Sequence, residues 1–324
     1  MTIEVLDINN AESGFQNVRV LLKQLETASE QVHTESAITV AGFLRGYLIR
    51  NNEELQACAL LYGTQLHSDG RPVLFFGHFG ACSFESGEAL LKALLDDVRM
   101  HFPGHRLIGP VNGSTWGSYR LPDQNEERLF YGDVGGKPFY RDLLFKCGFY
   151  VFSRYHTHIQ TLTEPYQTNR VFPYALRYLN KHEISEKLED IYRITMEAFS
   201  GAPLFQPLSF ELFSTKYRAE LEKLDVGYMP FAFNAAGDMV AYLLAYPAYD
   251  SETLVVKTIA RKSGRAYAGA GLALSDEIIR KAASAGFRRL LHAFMHSANV
   301  SNSLSIKQNG MPFRSYSLFA IDLL

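Results

Sequence analysis

Between residues 253 and 310 the chain is punctuated by glycines in an order that leaves few folds open. The run Thr253-Leu-Val-Val-Lys-Thr-Ile-Ala260 is β-branched and reads as a strand. It gives way to Arg265-Ala266-Tyr267-Ala268-Gly269-Ala270-Gly271 and then to a helix pattern that stops at Gly286. Residues 289–295 read as a second strand, Asn299 follows it, and Gly310 closes another short helix. A strand that passes through a two-glycine turn into a helix gathers backbone N–H groups at one point. Glycine lets a ligand approach the main chain, and the first helical turn leaves its N–H groups unpaired at the positive end of the helix dipole. Such a junction suits a phosphate. The same glycines also suit a helix start with only a packing role, and the two alone do not decide between these.

Strand and helix patterns alternate along the whole chain and run through a similar order twice. In the first half, strands are predicted over 42–50, 55–66 and 73–79, followed by a helix over 87–101 whose Leu90, Leu91, Leu94, Leu95 and Val98 form one apolar stripe. A strand over 106–111, a short helix near 138–146 and a strand from Phe149 complete it. In the second half, helices are predicted over 185–199, with Ser185 as N-cap, and over 209–223. A hairpin of 229–234 with 239–246, the glycine-punctuated series and a last strand over 316–322 follow. Gly104 matches Gly286 as a helix stop, and Lys146-Cys-Gly148-Phe149 matches Gln308-Asn-Gly310-Met311. The repeat is one of element order rather than of identity. The expected fold class is α+β, a mixed α/β chain of two tandem domains, each a mixed, mostly antiparallel sheet flanked by helices. The linker-like composition of residues 163–169 places the division at 1–165 and 166–324.

A chain of 324 residues is long enough for two cores. Its 32 basic and 34 acidic residues produce no general field for nucleic acid or anionic membrane, so neither is expected as a partner. No apolar run has the length of a membrane span, and the first residues lack the basic and apolar regions of a secretory signal. Cys58, Cys82 and Cys147 lie far apart without CxxC spacing, so neither a zinc site nor a disulfide framework is expected. A reduced, cytoplasmic setting fits this usage best.

These residues and spacings resemble the GCN5-related N-acetyltransferase (GNAT) superfamily, in a tandem two-domain form similar to uncharacterised bacterial members. The superfamily's phosphate loop runs Gln/Arg-x-x-Gly-x-Gly/Ala, and Ala266-Tyr-Ala-Gly269-Ala-Gly271 occupies that place. The helix to Gly286 has the superfamily's length, and Asn299 precedes Gly310 by eleven residues, as its usual Asn precedes a terminal glycine. The resemblance implies acetyl-CoA, or another acyl-CoA, as co-substrate. It implies that Arg265, Ala266, Tyr267, Ala268, Gly269, Ala270 and Gly271 hold the phosphates, and that Asn299 bonds the pantetheine arm or caps its helix. It also implies that the strand before the loop splays from the next, so that the N–H of Ile259 or Ala260 serves the thioester oxygen. Ala266 stands where the family prefers Gln or Arg, with Arg261, Lys262 and Arg265 as neighbouring charge. Ile306 stands where the family often has a Tyr that protonates the thiolate. The first half resembles the same fold in degenerate form, because Glu85 and Glu88 at its strand-to-helix junction oppose phosphate.

Acyl transfer to an amine calls for a base, an acid and an oxyanion donor. Glu252, at the start of the strand, and His292 and His296, which share a face if their strand is regular, are the candidate bases. A partly buried histidine satisfied by a backbone carbonyl is the competing reading of either His292 or His296. Tyr316 and Tyr267 are candidate acids. No third ligand accompanies the two histidines, so no metal is expected. Residues 200–209, rich in Pro, Leu and Phe, read as an apolar wall beside the acceptor. The expectation is an N-acetyltransferase acting on an amine of a small molecule or peptide, as a monomer built like an internal pseudo-dimer or as a homodimer. Two alternatives stay open. Ala266 and Ile306 favour a non-catalytic module that binds acyl-CoA or a partner protein. An aminoacyl-tRNA-dependent transferase would also join two such domains, but the neutral charge balance disfavours it.

Overall fold

The computed structural model describes residues 2–7, 15, 16, 18–20, 42–52, 54–124, 128–162, 166 and 168–324. Of the predicted linker, residues 163–165 and 167 lie outside the described residues. The chain forms two compact units, one of Met1–Arg154 with Ser315–Leu324 and one of Tyr155–Arg314.

The described elements begin with β1 (Thr2–Leu6), β2 (Phe43–Asn51), β3 (Glu54–Ser68) and β4 (Arg71–Ala81). Helix α1 (Phe84–His101), β5 (Arg106–Gly109), β6 (Leu121–Pro122), α2 (Tyr140–Lys146) and β7 (Tyr150–Thr161) follow. Then come β8 (Ala175–Tyr178), α3 (Lys181–Glu186), α4 (Leu188–Phe199), α5 (Phe210–Lys223), β9 (Pro230–Phe233), β10 (Met239–Pro247) and β11 (Thr253–Arg261). The chain ends with α6 (Ala270–Ser284), β12 (Arg289–His296), α7 (Val300–Lys307) and β13 (Met311–Asp322).

In the first unit β1, β2, β3 and β4 pair antiparallel in order, β4 pairs β5 in parallel, and β5 pairs residues 319–322 of β13 antiparallel. In the second unit β8, β9, β10 and β11 pair antiparallel in order, β11 pairs β12 in parallel, and β12 pairs residues 155–161 of β7 antiparallel. The two sheets therefore have one topology, with a single parallel pair at the same place. Each sheet's last strand comes from the other half of the chain order: the strand after α2 completes the second unit, and the strand after α7 completes the first.

Helix α1 is amphipathic as its leucine spacing requires, and its stripe packs on Tyr47, Leu61, Phe76 and Phe319 of the sheet. It starts at Phe84 rather than 87 because Ser83 accepts from the Ser86 N–H and Ser86 returns the bond in a capping box. The helix predicted over 185–199 is two helices, and Ser185 lies inside α3 instead of capping it. The signal that wins is Asn180 with Glu183, a capping box five residues earlier. Helix α6 buries Ala270, Ala273, Leu274, Ile278, Ile279, Ala282 and Ala283 on the second unit's sheet. At about 1.5–3 kcal/mol for each large aliphatic side chain, that face fixes the helix and with it the position of its N-terminus.

Candidate active site

At the start of α6 the backbone takes a turn that only glycine adopts easily. Gly269 is the N-cap at φ +85°, in the left-handed region. No side chain caps this helix, and its first turn holds no acidic residue. The first intrahelical bond runs from Ala273 N–H to Gly269 O at 2.9 Å. The N–H groups of Ala270, Gly271 and Leu272 therefore have no carbonyl one turn back and lie at the positive end of the dipole. The loop before them is held by its carbonyls. Tyr174 Oη is 2.9 Å from Ala268 O and 3.3 Å from Ala266 O. Ser263 anchors the loop's other end, donating its N–H to Glu197 Oε1 at 2.9 Å and its hydroxyl to the same oxygen. These bonds hold the Glu197 carboxyl below its usual range, with Lys262 and Arg261 adding to the shift. Arg261 and Arg265 are exposed at the surface of the same loop.

Strand β11 splays from β12. Their parallel register ends at Val256 with His292, although β11 continues to Arg261 and β12 to His296. The register of β11 with β10 shifts between Leu244 and Ala245, which leaves Lys257 as the extra, bulged residue. Beyond the bulge the direction of each N–H follows from the ladder. Lys262 N–H donates to Val240 O on β10 at 2.9 Å, and Ala260 stands opposite Tyr242. Alternation turns the N–H of Ala260 to β10 and that of Ile259 away from it, into the opening between β11 and β12. The two faces are also fixed. Val256 joins the cluster under α6, and a Cβ at Gly271 would sit 3.5 Å from Ile259 Cγ2, so these side chains face α6. Tyr242 reaches Thr195 of α4, so Ala260, and by alternation Thr258, face α4 and α5.

The predicted site residues divide accordingly. Ile259, Ala260 and the loop from Arg265 to Gly271 are brought together at the opening and the start of α6. Asn299 caps α7, its side chain accepting from Ser301 N–H at 3.3 Å. Glu252 stands four residues before the point where the strands part, roughly 13 Å along the strand. It is ion-paired with Arg289 at 3.3 Å and Arg288 at 3.6 Å, and its carbonyl accepts from both of their N–H groups. His292 is 5% exposed and lies 3.2 Å from Gln160 Oε1. Burial, reinforced by His158, pushes its pKa down to about 4. The structure thus gives His292 the satisfied, buried setting. His292 and His296 do not share a regular strand face, because the register with β7 shifts between His292 and Met295. Tyr316 belongs to the first unit, where it is fully buried with Oη 3.3 Å from Asp133 Oδ1. Tyr267 is half-buried against the α6 core, and Ile306 is 62% exposed on α7.

On the α4 and α5 side, an aromatic wall stands where an apolar one was expected, but other residues build it. Tyr242 Oη lies 2.7 Å from Thr195 Oγ1 and 3.1 Å from Tyr217 Oη, and Phe213 stacks on Tyr217 with ring centres 4.6 Å apart. Burial pushes the Tyr217 and Tyr242 phenols up, so both stay neutral hydrogen-bonding groups. Tyr192 ties this wall to the predicted segment by donating to Leu208 O at 2.9 Å. Tyr174, Glu197 and Tyr242 had no signal in sequence, since each acts through residues tens of positions away. Lys257 did have one, as the sole charge inside the run 253–260.

In the first unit the corresponding places are filled by the chain itself. The parallel register of β4 with β5 ends at Phe75 with Ile108, and Val111 N–H then donates to Phe76 O at 2.7 Å. A Cβ at Gly77 would lie 2.0 Å from Val111 O, so the segment fits only against glycine. His78 N–H donates to Asn112 Oδ1 at 2.6 Å. At the start of α1 the Ser83 hydroxyl and Glu85 occupy the first turn. Among the described residues no group of three or more His, Cys, Asp or Glu side chains is arranged to hold a metal ion. No described helix is long and apolar enough to cross a membrane.

This architecture is the GNAT fold in its tandem form. No protein-family model matches the chain, and no curated protein matches it in sequence. Solved structures do match in fold. The chain is similar over 99% of its length to a GCN5-related N-acetyltransferase from Sphaerobacter thermophilus, covering 95% of that chain with a TM-score of 0.56 at 13% identity. It is similar over its whole length to a tandem GNAT protein from the clavulanic acid biosynthesis pathway, covering 99% of that chain with a TM-score of 0.54 at 10% identity. A probable N-acyltransferase from Enterococcus faecalis V583 is matched over 73% of its own length, with a TM-score of 0.57 at 14% identity.

Proposed function

We propose that the chain is an acyl-CoA-dependent N-acyltransferase, with acetyl-CoA as the expected donor and an amine of a small molecule or peptide as acceptor. The observation that carries the reading is the uncapped, acid-free N-terminus of α6 beside the splayed end of β11. The N–H groups of Ala270, Gly271 and Leu272 would bind the pyrophosphate, with Arg261 and Arg265 as surface charge. The thioester would lie between β11 and β12, its carbonyl oxygen on the N–H of Ile259 rather than of Ala260, whose N–H faces β10. The acceptor nitrogen attacks the carbonyl carbon, the C–N bond forms and the C–S bond breaks. Ile259 N–H strengthens its bond as charge builds on the oxygen, the class of contribution worth about 10²–10³ in rate. The amine's proton passes through water to the departing thiolate, because Glu252 and His292 are engaged elsewhere. In chain order residues 1–165 and 166–324 are proposed as two copies of one domain, the second carrying the site. The three free cysteines accord with a reduced, cytoplasmic setting.

Calorimetry with CoA and release of free thiol from acetyl-CoA with a mixed amine panel test this reading. CoA binding that is lost in Gly269→Glu is expected, and undiminished binding in that variant would remove the assigned loop. A non-catalytic acyl-CoA-binding module is the second reading. It is favoured by the engagement of Glu252 and His292, two of the candidate bases, and binding without thiol release on every acceptor would select it.

A further inference from the structure

We propose that Tyr174 is a positioning residue of the phosphate turn: its hydroxyl fixes the Ala268–Gly269 peptide so that the Gly269 N–H faces the diphosphate and the Ala268 carbonyl faces away. The proposal rests on the acyl-CoA reading above. The N–H groups along the loop change direction at this peptide. Tyr267 and Ala268 turn theirs back into the loop, donating to Gly264 O at 3.3 Å and to Arg265 O at 3.1 Å. The next bond of that series would run from Gly269 N–H to Ala266 O. It is not made, and among the described residues the Gly269 N–H has no hydrogen-bond acceptor. The dihedrals give the reason. Ala268 lies at φ −60°, ψ 138° and Gly269 at φ 85°, ψ −13°, the pair that marks the centre of a type II turn. In a type I turn the peptide between them is turned over, and glycine accepts either form. Flipped in that way, the Gly269 N–H would continue the series to Ala266 O. The Ala268 carbonyl, opposite it across a trans peptide, would take the direction that the N–H had left. A carbonyl oxygen there repels phosphate. Tyr174 opposes the flip with one hydroxyl. Its Oη donates to Ala268 O at 2.9 Å, which keeps that carbonyl on the far side, and stands 3.3 Å from Ala266 O, the acceptor that a flipped N–H needs. The hydroxyl is itself held in place. Its ring packs against the core beneath α6, and the segment before it is tied to that helix, where Asp276 accepts from Arg170 Nη1 at 2.8 Å and from Tyr166 Oη at 3.1 Å. The Gly269 N–H thereby joins those of Ala270, Gly271 and Leu272 at the start of α6, and a diphosphate offers oxygens enough for all of them.

The test compares Tyr174→Phe with the natural protein, by calorimetry with CoA and by NMR hydrogen exchange of the Gly269 amide in protein carrying isotope-labelled glycine. The ring stays, and with it the core contacts. CoA affinity is expected to fall by about three- to tenfold, the worth of one hydrogen bond. In the free protein the Gly269 amide is expected to exchange several-fold more slowly in the variant, because the flipped N–H bonds Ala266 O. Mere loosening of the loop speeds exchange instead. Tyr178→Phe removes a 3.1 Å bond to Glu277 farther along the same helix and should leave both readouts as they were. Unchanged CoA affinity in Tyr174→Phe overturns the proposal. So does exchange at Gly269 that is equal or faster in that variant, or an equal loss of affinity in Tyr178→Phe. Absence of CoA binding in the natural protein removes the acyl-CoA reading instead, and the exchange rates then still decide whether Tyr174 sets the peptide.

Discussion

The N–H of His78 donates to Oδ1 of Asn112 at 2.6 Å, three residues beyond the last parallel pair of β4 with β5. Ile259 stands three residues beyond the last parallel pair of β11 with β12. The first unit therefore already carries an amide oxygen on the N–H equivalent to the one proposed to receive a thioester oxygen in the second. One CoA per chain is the expected stoichiometry by calorimetry. Asn112→Ala strips a partner from a part-buried N–H and should lower the first unit's stability by about 1–3 kcal/mol in a denaturant titration. CoA affinity should stay as it was. A stoichiometry of two would show that the segment around Asn112 yields to ligand.

Gly269 tests the phosphate loop without adding charge. A Cβ there meets Phe172 at an ordinary 3.5 Å, so space is not the obstacle. The obstacle is φ +85°, which costs an L-residue about 1–2 kcal/mol. Gly269→Ala should lower the melting temperature modestly and weaken CoA binding several-fold, because relaxing the strain moves the first-turn N–H groups. Gly269→Glu adds a carboxylate where phosphate oxygens belong and should abolish binding. Equal affinities for the two variants would mean that charge at this point does not matter.

The buried histidines give the stability a defined pH dependence. His292 has a folded pKa of about 4 against an ordinary 6.5, and His78, buried beside Tyr62, is pushed down to about 4 as well. As pH falls the unfolded chain takes up these protons first. Their contribution is full above pH 6.5 and is lost progressively between about 6.5 and 4, at roughly 3 kcal/mol for each histidine. Chemical denaturation at stepped pH should show this slope, flattened in His292→Asn. The acid limb of kcat/KM for thiol release should be the same in that variant. A displaced acid limb would return His292 to the role of base.

Local chemistry carried most of what the sequence revealed. The leucine stripe of α1, the turn at 235–238, the β-branched run of β11 and the glycine at the start of α6 are each written within a few adjacent residues. Repetition of that order made two copies of one topology legible, and the single parallel pair in each sheet follows from the strand-helix-strand order on either side of α1 and α6. Residues that act across the fold were not legible. Glu252 was a fair candidate by position, but Arg288 and Arg289, which pin it, reach it only once β12 lies beside β11. His292 needed the partner strand's Gln160 to be seen as satisfied. Tyr316 sits in a strand that follows the second domain in sequence and belongs to the first unit in space, a placement that no local pattern encodes.

That last placement makes the two halves of the chain interdependent. Residues 315–324 bring Tyr316, Leu318 and Phe319 into the first unit, each fully buried. At about 1.5–3 kcal/mol apiece they rival the roughly 5–15 kcal/mol that holds a whole domain. A chain ending at Arg314 should thus lose the cooperative unfolding transition of the first unit. A fragment of residues 166–324 should fare no better, since it lacks residues 155–161 and leaves the edge of β12 unpaired, a template for aggregation. Expressed alone, fragments 1–165 and 166–324 are expected to be insoluble, and expressed together to form a soluble complex that binds CoA, because each then finds its last strand. A soluble 166–324 fragment with full CoA affinity would show that the second unit's sheet is stable without the strand contributed by β7.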